Sequence, residues 1–294
     1  MSRFGIQAIN LNSVQYPGAS GWQYDAGRSV DASGLDGLQY ETMQHEVQVK
    51  PTADITTRSL KDILVALNDS TDLPLKALDG INGLKLIAAK AASGAPGYAS
   101  GSVHIQRQFL RGLIHVAGVR WSKGGKAEMM LKAFAKGTGD GLTDAVGSSL
   151  VANPTPPTPD FGFTLSALTM NGVAIPTPDS VDLSCEPNFE HDYLAGLPVP
   201  TDIIGAGVRS PMSVTLRADI GDLDIGSGTG AVALVFKRYA NGGGFGTDTV
   251  THTLNGVWTA EEGVGGDSNS PGARSLLVRT RWNGTTKPWT WGVA

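Results

Sequence analysis

A chain of 294 residues with 40% hydrophobic residues is long enough for one large or two ordinary domains with real cores, which excludes a disordered polymer. Its 39 glycines and only 17% charged residues favour many short strands joined by tight turns over a helical bundle. The net charge of −4 lacks the basic excess that gripping phosphate backbones needs, and the single cysteine, Cys185, excludes an intrachain disulfide or a multi-thiolate metal site. A lone cysteine suits a reducing cytoplasm and reads as a small buried hydrophobe.

The opening MSRFGIQAINLNS has one early Arg and no apolar run of signal-peptide length, and no stretch of roughly 18 apolar residues follows it. A soluble protein without export signal or membrane contact is expected. Ser29-Val30-Asp31 has a counterpart in Ser180-Val181-Asp182. In HEVQVKPTADI (45–55), Val47, Val49 and Ala53 alternate with Gln48, Lys50 and Thr52, which predicts one half-buried strand. In TTRSLKDILVALNDS, Leu60, Ile63, Leu64 and Leu67 recur at helical spacing behind Thr56, Thr57 or Ser59 as caps. This predicts the one clear helix, with its apolar stripe on a sheet or a neighbouring subunit.

GLKLIAAKAASG (83–94) matches AVALVFKRYANG (231–242), with Leu86 on Leu234 and Ile87 on Val235. The same register carried onward sets His104 on His252 and Phe134 on Trp282. VANPTPPTPDF (151–161) holds four prolines between Pro154 and Pro159; the rings fix φ and restrict each preceding residue, so the stretch is a stiff spacer. Beyond it, PMSVTLRADI (211–220) alternates Met212, Val214, Leu216 and Ala218 with Ser213, Thr215, Arg217 and Asp219, and its Ala-Asp-Ile end sets Ala218 on Ala53. The organisation is therefore mainly β: a first domain (1–150), a proline-rich linker (151–160) and a second copy of the same domain (161–294). Insertions distinguish the copies, the helix in the first and CEPNFEHDYLAGLPVPTDIIGAG (185–207) in the second.

Catalytic constellations are not evident. The histidines at 45, 104, 115, 191 and 252 show no HxH or HExxH spacing, so neither zinc nor another metal is expected. Glu190-His191-Asp192 sets acid, base and acid in sequence, but neighbours on an extended chain point to opposite sides. Asp219, Asp222 and Asp224 lack the Gly and Glu positions of an EF-hand loop, and the glycine clusters at 137–141 and 241–246 lack the lysine of a phosphate loop. RTRWNGTTKPWTWG combines Arg and Trp, which stack on bases or sugars, or order a C-terminal strand against a partner. We expect no enzyme and no cofactor.

At LSALTMNGVAIPTPDSVDLS (165–184), with its turn Met170-Asn171-Gly172-Val173, and at GVRSPMSVTLRADIGDL (207–223), the chain resembles bacteriophage tail tube proteins of long-tailed phages; GLKLIAAKAASG and YASGSVHIQRQFLRGLI strengthen the resemblance. The resemblance implies two tandem tail-tube-like β-sandwich or half-barrel domains. Their inner sheets would join those of neighbours into a closed ring, and the rings would stack into a tube. Because the chain is duplicated, it implies homotrimeric rings with pseudo-sixfold symmetry. Closing a sheet into a ring removes strand edges that invite uncontrolled pairing.

The implied partners are the chain itself, the tape measure, tip and terminator proteins of the tail, and double-stranded DNA passing without specific binding. The implied place is the virion tail, assembled in the host cytoplasm. Subunit and ring contacts are then expected at Leu60, Ile63, Leu64 and Leu67, at Phe189, Tyr193, Leu194 and Leu197 in the second-copy insertion, and at Trp289 and Trp291. Gln48, Lys50, Ser213, Thr215 and Arg217 are expected to face the lumen or the outer wall, although Lys50, Arg107 and Arg217 depart from a uniformly acidic lining. Three rivals remain. One is a carbohydrate-binding β-sandwich of a tail tip using the C-terminal tryptophans. The second is a glycosidase, which needs two carboxylates about 5 to 9.5 Å apart. The third is a type VI secretion tube.

Overall fold

A computed structural model of the chain describes residues 4–16, 19–33, 43–67, 75–92, 98–138, 145–152, 162–176, 178–185, 189–194, 197–205, 213–218, 228–240, 243–261, 274–280, 284–285 and 288–294. The proline run at 154–159 lies outside these residues, as do Asp219, Asp222, Asp224 and Trp282. The architecture is mainly β with one short helix.

In the first half the elements run β1 (Phe4–Leu11), β2 (Val14–Tyr16), β3 (Ala19–Asp25), β4 (Arg28–Ser33), β5 (Met43–Val49), β6 (Thr52–Thr57), α1 (Leu60–Leu67), β7 (Leu75–Lys90), β8 (Ser102–Ser122), β9 (Glu128–Ala135) and β10 (Val146–Ala152). The second half follows with β11 (Phe163–Met170), β12 (Val173–Ile175), β13 (Ser180–Ser184), β14 (Phe189–Asp192), β15 (Asp202–Gly205), β16 (Ser213–Ala218), β17 (Gly228–Tyr239), β18 (Phe245–Glu261), β19 (Arg274–Thr280) and β20 (Trp289–Val293).

Both halves trace one antiparallel path. The first reads β2-β1-β7-β8-β9-β6-β3 with β10 also on β8; the second reads β12-β11-β17-β18-β19-β16-β13 with β20 also on β18. Local irregularities repeat with the path. β1 carries a bulge between Ile6 and Ala8, and β11 carries one between Leu165 and Ala167. The β1–β2 turn puts Asn12 and Ser13 at φ 52° and 66°, and the β11–β12 turn puts Asn171 and Gly172 at 53° and 78°. Two left-handed residues in a two-residue loop match the right-handed twist of the flanking strands, which is why Asn opens both turns and Gly follows it in the second. The hairpins β4–β5 and β14–β15 form two small sheets outside this path.

Strand pairing revises the sequence register at several points. Ile9 faces Leu86 and Leu168 faces Leu234, so Leu86 and Leu234 do correspond. On the next strand Leu86 faces Arg107 whereas Leu234 faces His252, so the counterpart of His252 is Arg107 and not His104. Gly112 and Gly256 make the same close approach, to the carbonyls of Phe134 and Arg279, so Arg279 is the counterpart of Phe134; Phe134 faces Thr52 and Arg279 faces Ser213, which sets Ala53 on Val214. The cause is a shorter turn between β17 and β18 than between β7 and β8, which slides the returning strand.

The expected strand 45–55 is two strands. Pro51 has no N–H to give a ladder, and the chain bends there from the β4–β5 hairpin into the main sheet. Ser29-Val30-Asp31 lies in β4, while Ser180-Val181-Asp182 lies in β13, whose counterpart is β3.

α1 forms where the stripe predicted it. Ser59 stands at its N-terminus, where its carbonyl accepts from Ile63 N at 3.2 Å and its hydroxyl donates to Asp62 Oδ2 at 2.7 Å. Leu60, Ile63, Leu64 and Leu67 are fully buried within the chain, and the helix lies against β18 and β20. The stripe is therefore part of this chain's own core and not a contact between subunits.

Candidate functional site

The two halves join edge to edge. β13 pairs with β16 on one side and with β8 of the first half on the other, from Ser180–Ser122 to Ser184–Gly118. Lys123 N donates to Asp179 O at 2.7 Å, and Cys185 N to Ala117 O at 2.8 Å, extending the ladder at both ends. β8 accommodates this because it is long. One edge holds β7 up to His115 and then β13; the other holds β10 and then β9. At the junction a Cβ on Gly118 would stand 2.2 Å from the Leu183 carbonyl oxygen, so only glycine permits the approach. Across it, Trp121 Nε1 donates to Thr164 Oγ1 at 2.8 Å, and Ala127 N to Phe163 O at 2.7 Å.

The junction turns two sheets into one run, β18-β19-β16-β13-β8-β9-β6-β3. One face is apolar: Ala53, Ile55, Met129, Leu131, Val119, Trp121, Val181 and Leu183 are buried. The other face carries Gln23, Asp54, Thr56, Arg120, Lys132, Asp182, Ser184 and Thr215, because directly paired residues project to the same side. This face is concave around the junction, where a cavity of ≈ 650 Å³ touches both halves, from Asp54 and Lys132 to Asp182 and Thr215. Its cations have partners: Arg120 Nε lies 3.4 Å from Asp182, and Lys132 Nζ lies 5.7 Å from the centre of the Phe134 ring. Arg58, just past β6, meets Glu128 at 2.7 Å.

Thr215 is thus on the concave face, and Ser213 and Arg217 hold the adjoining register positions opposite Ser184 and Ser180. Gln48 and Lys50 are exposed and belong to the β4–β5 hairpin and its end. Arg107 packs over the Tyr24 ring at 5.5 Å.

The second-copy insertion folds back on the first half. Phe189 packs 5.4 Å from His115 and 5.6 Å from Phe134, ring centre to ring centre, and His191 packs 5.5 Å from Phe134. Val49 N donates to Pro198 O and Gly137 N to Pro200 O, both at 2.8 Å, and Lys136 Nζ meets Asp202 at 2.8 Å. Burial pushes the pKa values of His115 and His191 down, with Lys132 and Lys50 respectively adding to the effect. The hydrogen bond from Lys136 holds Asp202 below the usual carboxylate range. Tyr193 and Leu197 are half-buried, whereas Leu194 and Ile204 are 60% and 49% exposed. The insertion therefore presents one face to its own chain and one outward.

Trp289 and Trp291 are buried on β20, and the Trp291 ring lies 3.9 Å from that of His252, centre to centre and tilted by 31°; burial lowers the His252 pKa to about 3. These tryptophans serve the chain's own core and offer no platform for a sugar or a subunit. Glu190 and Asp192 are exposed and His191 is not, as alternation requires. No group of three metal-ligating side chains occurs among the described residues.

A second tie between the halves is ionic. Lys61 on α1 donates to Asp248 at 2.7 Å and to the Ala294 carbonyl at 2.8 Å, while Arg238 joins Asp62 at 2.8 Å to Asp248 at 2.9 Å. These bonds pull Asp248 below the normal carboxylate range. Among the described residues no helix is long and apolar enough to cross a membrane.

No family model matches the sequence, and no curated protein matches it.

Proposed function

We propose that this chain is a structural subunit of a bacteriophage tail tube. Three copies form a ring in which their six halves occupy equivalent positions, and stacked rings make a conduit for double-stranded DNA between capsid and host cell. The reading rests chiefly on one observation: a single sheet path is used twice, and the two uses are joined edge to edge into one concave polar face. A sheet that extends by adding identical units suits a ring, since closure removes its exposed edges.

The concave face also suits a lumen. DNA slides where phosphates find few unpaired cations to grip, and here Arg120 is matched by Asp182 and Arg58 by Glu128, while Lys132 lies by the Phe134 ring. The work is mechanical, with no catalytic step and no cofactor. The remaining partners are the tape measure, tip and terminator proteins, with assembly in the host cytoplasm and residence in the virion tail. The carbohydrate-binding alternative loses its stacking platform with the burial of Trp289 and Trp291.

Negative-stain microscopy of the purified protein tests this reading. Rings or tubes with a central hole are expected; monodisperse monomers at high concentration overturn it.

A further inference from the structure

Three exposed apolar positions recur in both halves. Val14 faces Leu11, which faces Leu84; Val173 faces Met170, which faces Val232, the counterpart of Leu84. Leu150 is level with Ile105 and Ala88, and Val293 with Val250 and Phe236, again counterparts. Tyr98 bridges Ala91 and Phe245 faces Tyr239, which stand equally far beyond Leu86 and Leu234. All six side chains are exposed, from 36% for Val293 to 64% for Leu150. Of the other exposed large apolar side chains among the described residues, Val65 lies on α1, and Leu194 and Ile204 lie in 185–207, the segments by which the copies differ; that leaves Val257. A lone exposed valine is ordinary, but apolar exposure kept at three equivalent positions, while neighbours diverge as Arg107 and His252 do, marks a surface in use.

The internal junction shows where this surface does not lie. Pairing of β13 with β8 covers one flank of the second half and one flank of the first. A side chain that served this lateral contact would be covered in one half and open in the other, whereas these are open in both. They are spread along the strands instead. Val14 is level with Leu84 and Tyr98 with Ala91, about 24 Å further along, and Leu150, level with Ala88, lies nearer the Tyr98 end. Strands of a sheet closed into a ring run at a tilt to its axis, so the two levels look towards opposite ends of the ring.

We infer that the end of a ring bearing Tyr98, Leu150, Phe245 and Val293 docks on the end of the next ring bearing Val14 and Val173, copy against copy of this chain. The inference rests on the tail-tube reading and names the surfaces by which its rings stack. One or two side chains per half fall far short of the roughly 800 Å² that each partner of a lasting contact buries, so the partner must engage several points at once. These points recur at the spacing of the two halves. The molecule whose own surface recurs at that spacing is another copy of this chain, and head-to-tail stacking uses both levels of every copy.

Added charge tests the contact. The Tyr98→Lys, Phe245→Lys double variant alters exposed side chains, so folded chains and rings are expected, with roughly tenfold or greater loss of sedimentable tubes. Val65→Lys, at an exposed position of α1, is expected to leave tubes unchanged. Tubes of normal length from the double variant overturn the inference and leave the tube reading standing. Loss of tubes from Val65→Lys does the same, since any added charge would then suffice. Rings or monomers of the unaltered chain that never stack overturn both. Should the double variant not fold, cross-linking decides. Tubes carrying Tyr98→Cys with either Val14→Cys or Val173→Cys are treated with a short bismaleimide; Cys185 is buried and stays silent. A ladder longer than a trimer on a denaturing gel is expected from at least one combination, and monomer from both overturns the contact.

Discussion

The first and second halves follow one strand order and differ in how they complete it. The second half gives its outermost strand, β13, to β8 of the first, whereas the equivalent strand of the first half, β3, pairs with β6 alone among the described residues. The second half sends β14–β15 across the junction; the first sends α1 the other way, onto β18 and β20. A duplicated fold can therefore join its two copies edge to edge inside one chain.

Breaking the internal junction should have the largest effect. Gly118→Val drives a side chain into the Leu183 carbonyl and is expected to cost about 3 kcal/mol or more, read as a lowered Tm of the isolated chain together with loss of rings. A Tm equal to that of the unaltered chain would mean that the halves are held by something else. Leu64→Ala should cost about 3 kcal/mol in the dissociated chain as well as in assemblies, because its stripe is internal. Loss confined to assemblies would return the helix to a subunit boundary.

Phe189→Ala, at the half-buried contact with His115 and Phe134, is expected to cost about 2 kcal/mol and to open β14–β15 to proteolysis. Deleting 187–203 goes further, for it uncovers Phe134 and should destabilise the chain as well as stop tube growth.

Acid should destabilise the fold in a defined direction. His252 has a folded pKa of about 3 against an unfolded value near 6.5, so the unfolded chain binds the extra proton, and stability falls as pH drops from about 6.5 towards 3. His115 and His191 shift the same way and add to the loss. Tm measured at pH 7.5 and pH 5 should differ less in His252→Leu than in the unaltered chain; an unchanged difference would discard the assignment. The smallest effect is expected for Arg120→Gln. Its ion pair with Asp182 is exposed, so stability should change by no more than about 0.5 kcal/mol while the concave face becomes more acidic.

Much of this architecture was legible locally. The alternation through Ser213–Ala218, the stripe of α1 and the Asn171-Gly172 turn each state a backbone period or a φ requirement that a few neighbouring residues set among themselves. The repeat was legible as an order of landmarks, but its register was not. Chance identities such as His104 with His252 outweighed the turn lengths that slide β8 relative to β18. Nor did the exposure of Trp289, Trp291 and the α1 stripe follow from their spacing, since the same apolar stripe serves a core or a contact equally well.

The sequence by itself determined that the chain is mainly β, that it runs through one plan twice, and where its helix and turns lie, because those properties depend on residues a few positions apart. Tertiary structure decided which edges meet. The pairing of β13 with β8 joins strands distant in the chain, and a strand's own residues state its faces, by alternation, but not the neighbour that its N–H and C=O groups will find.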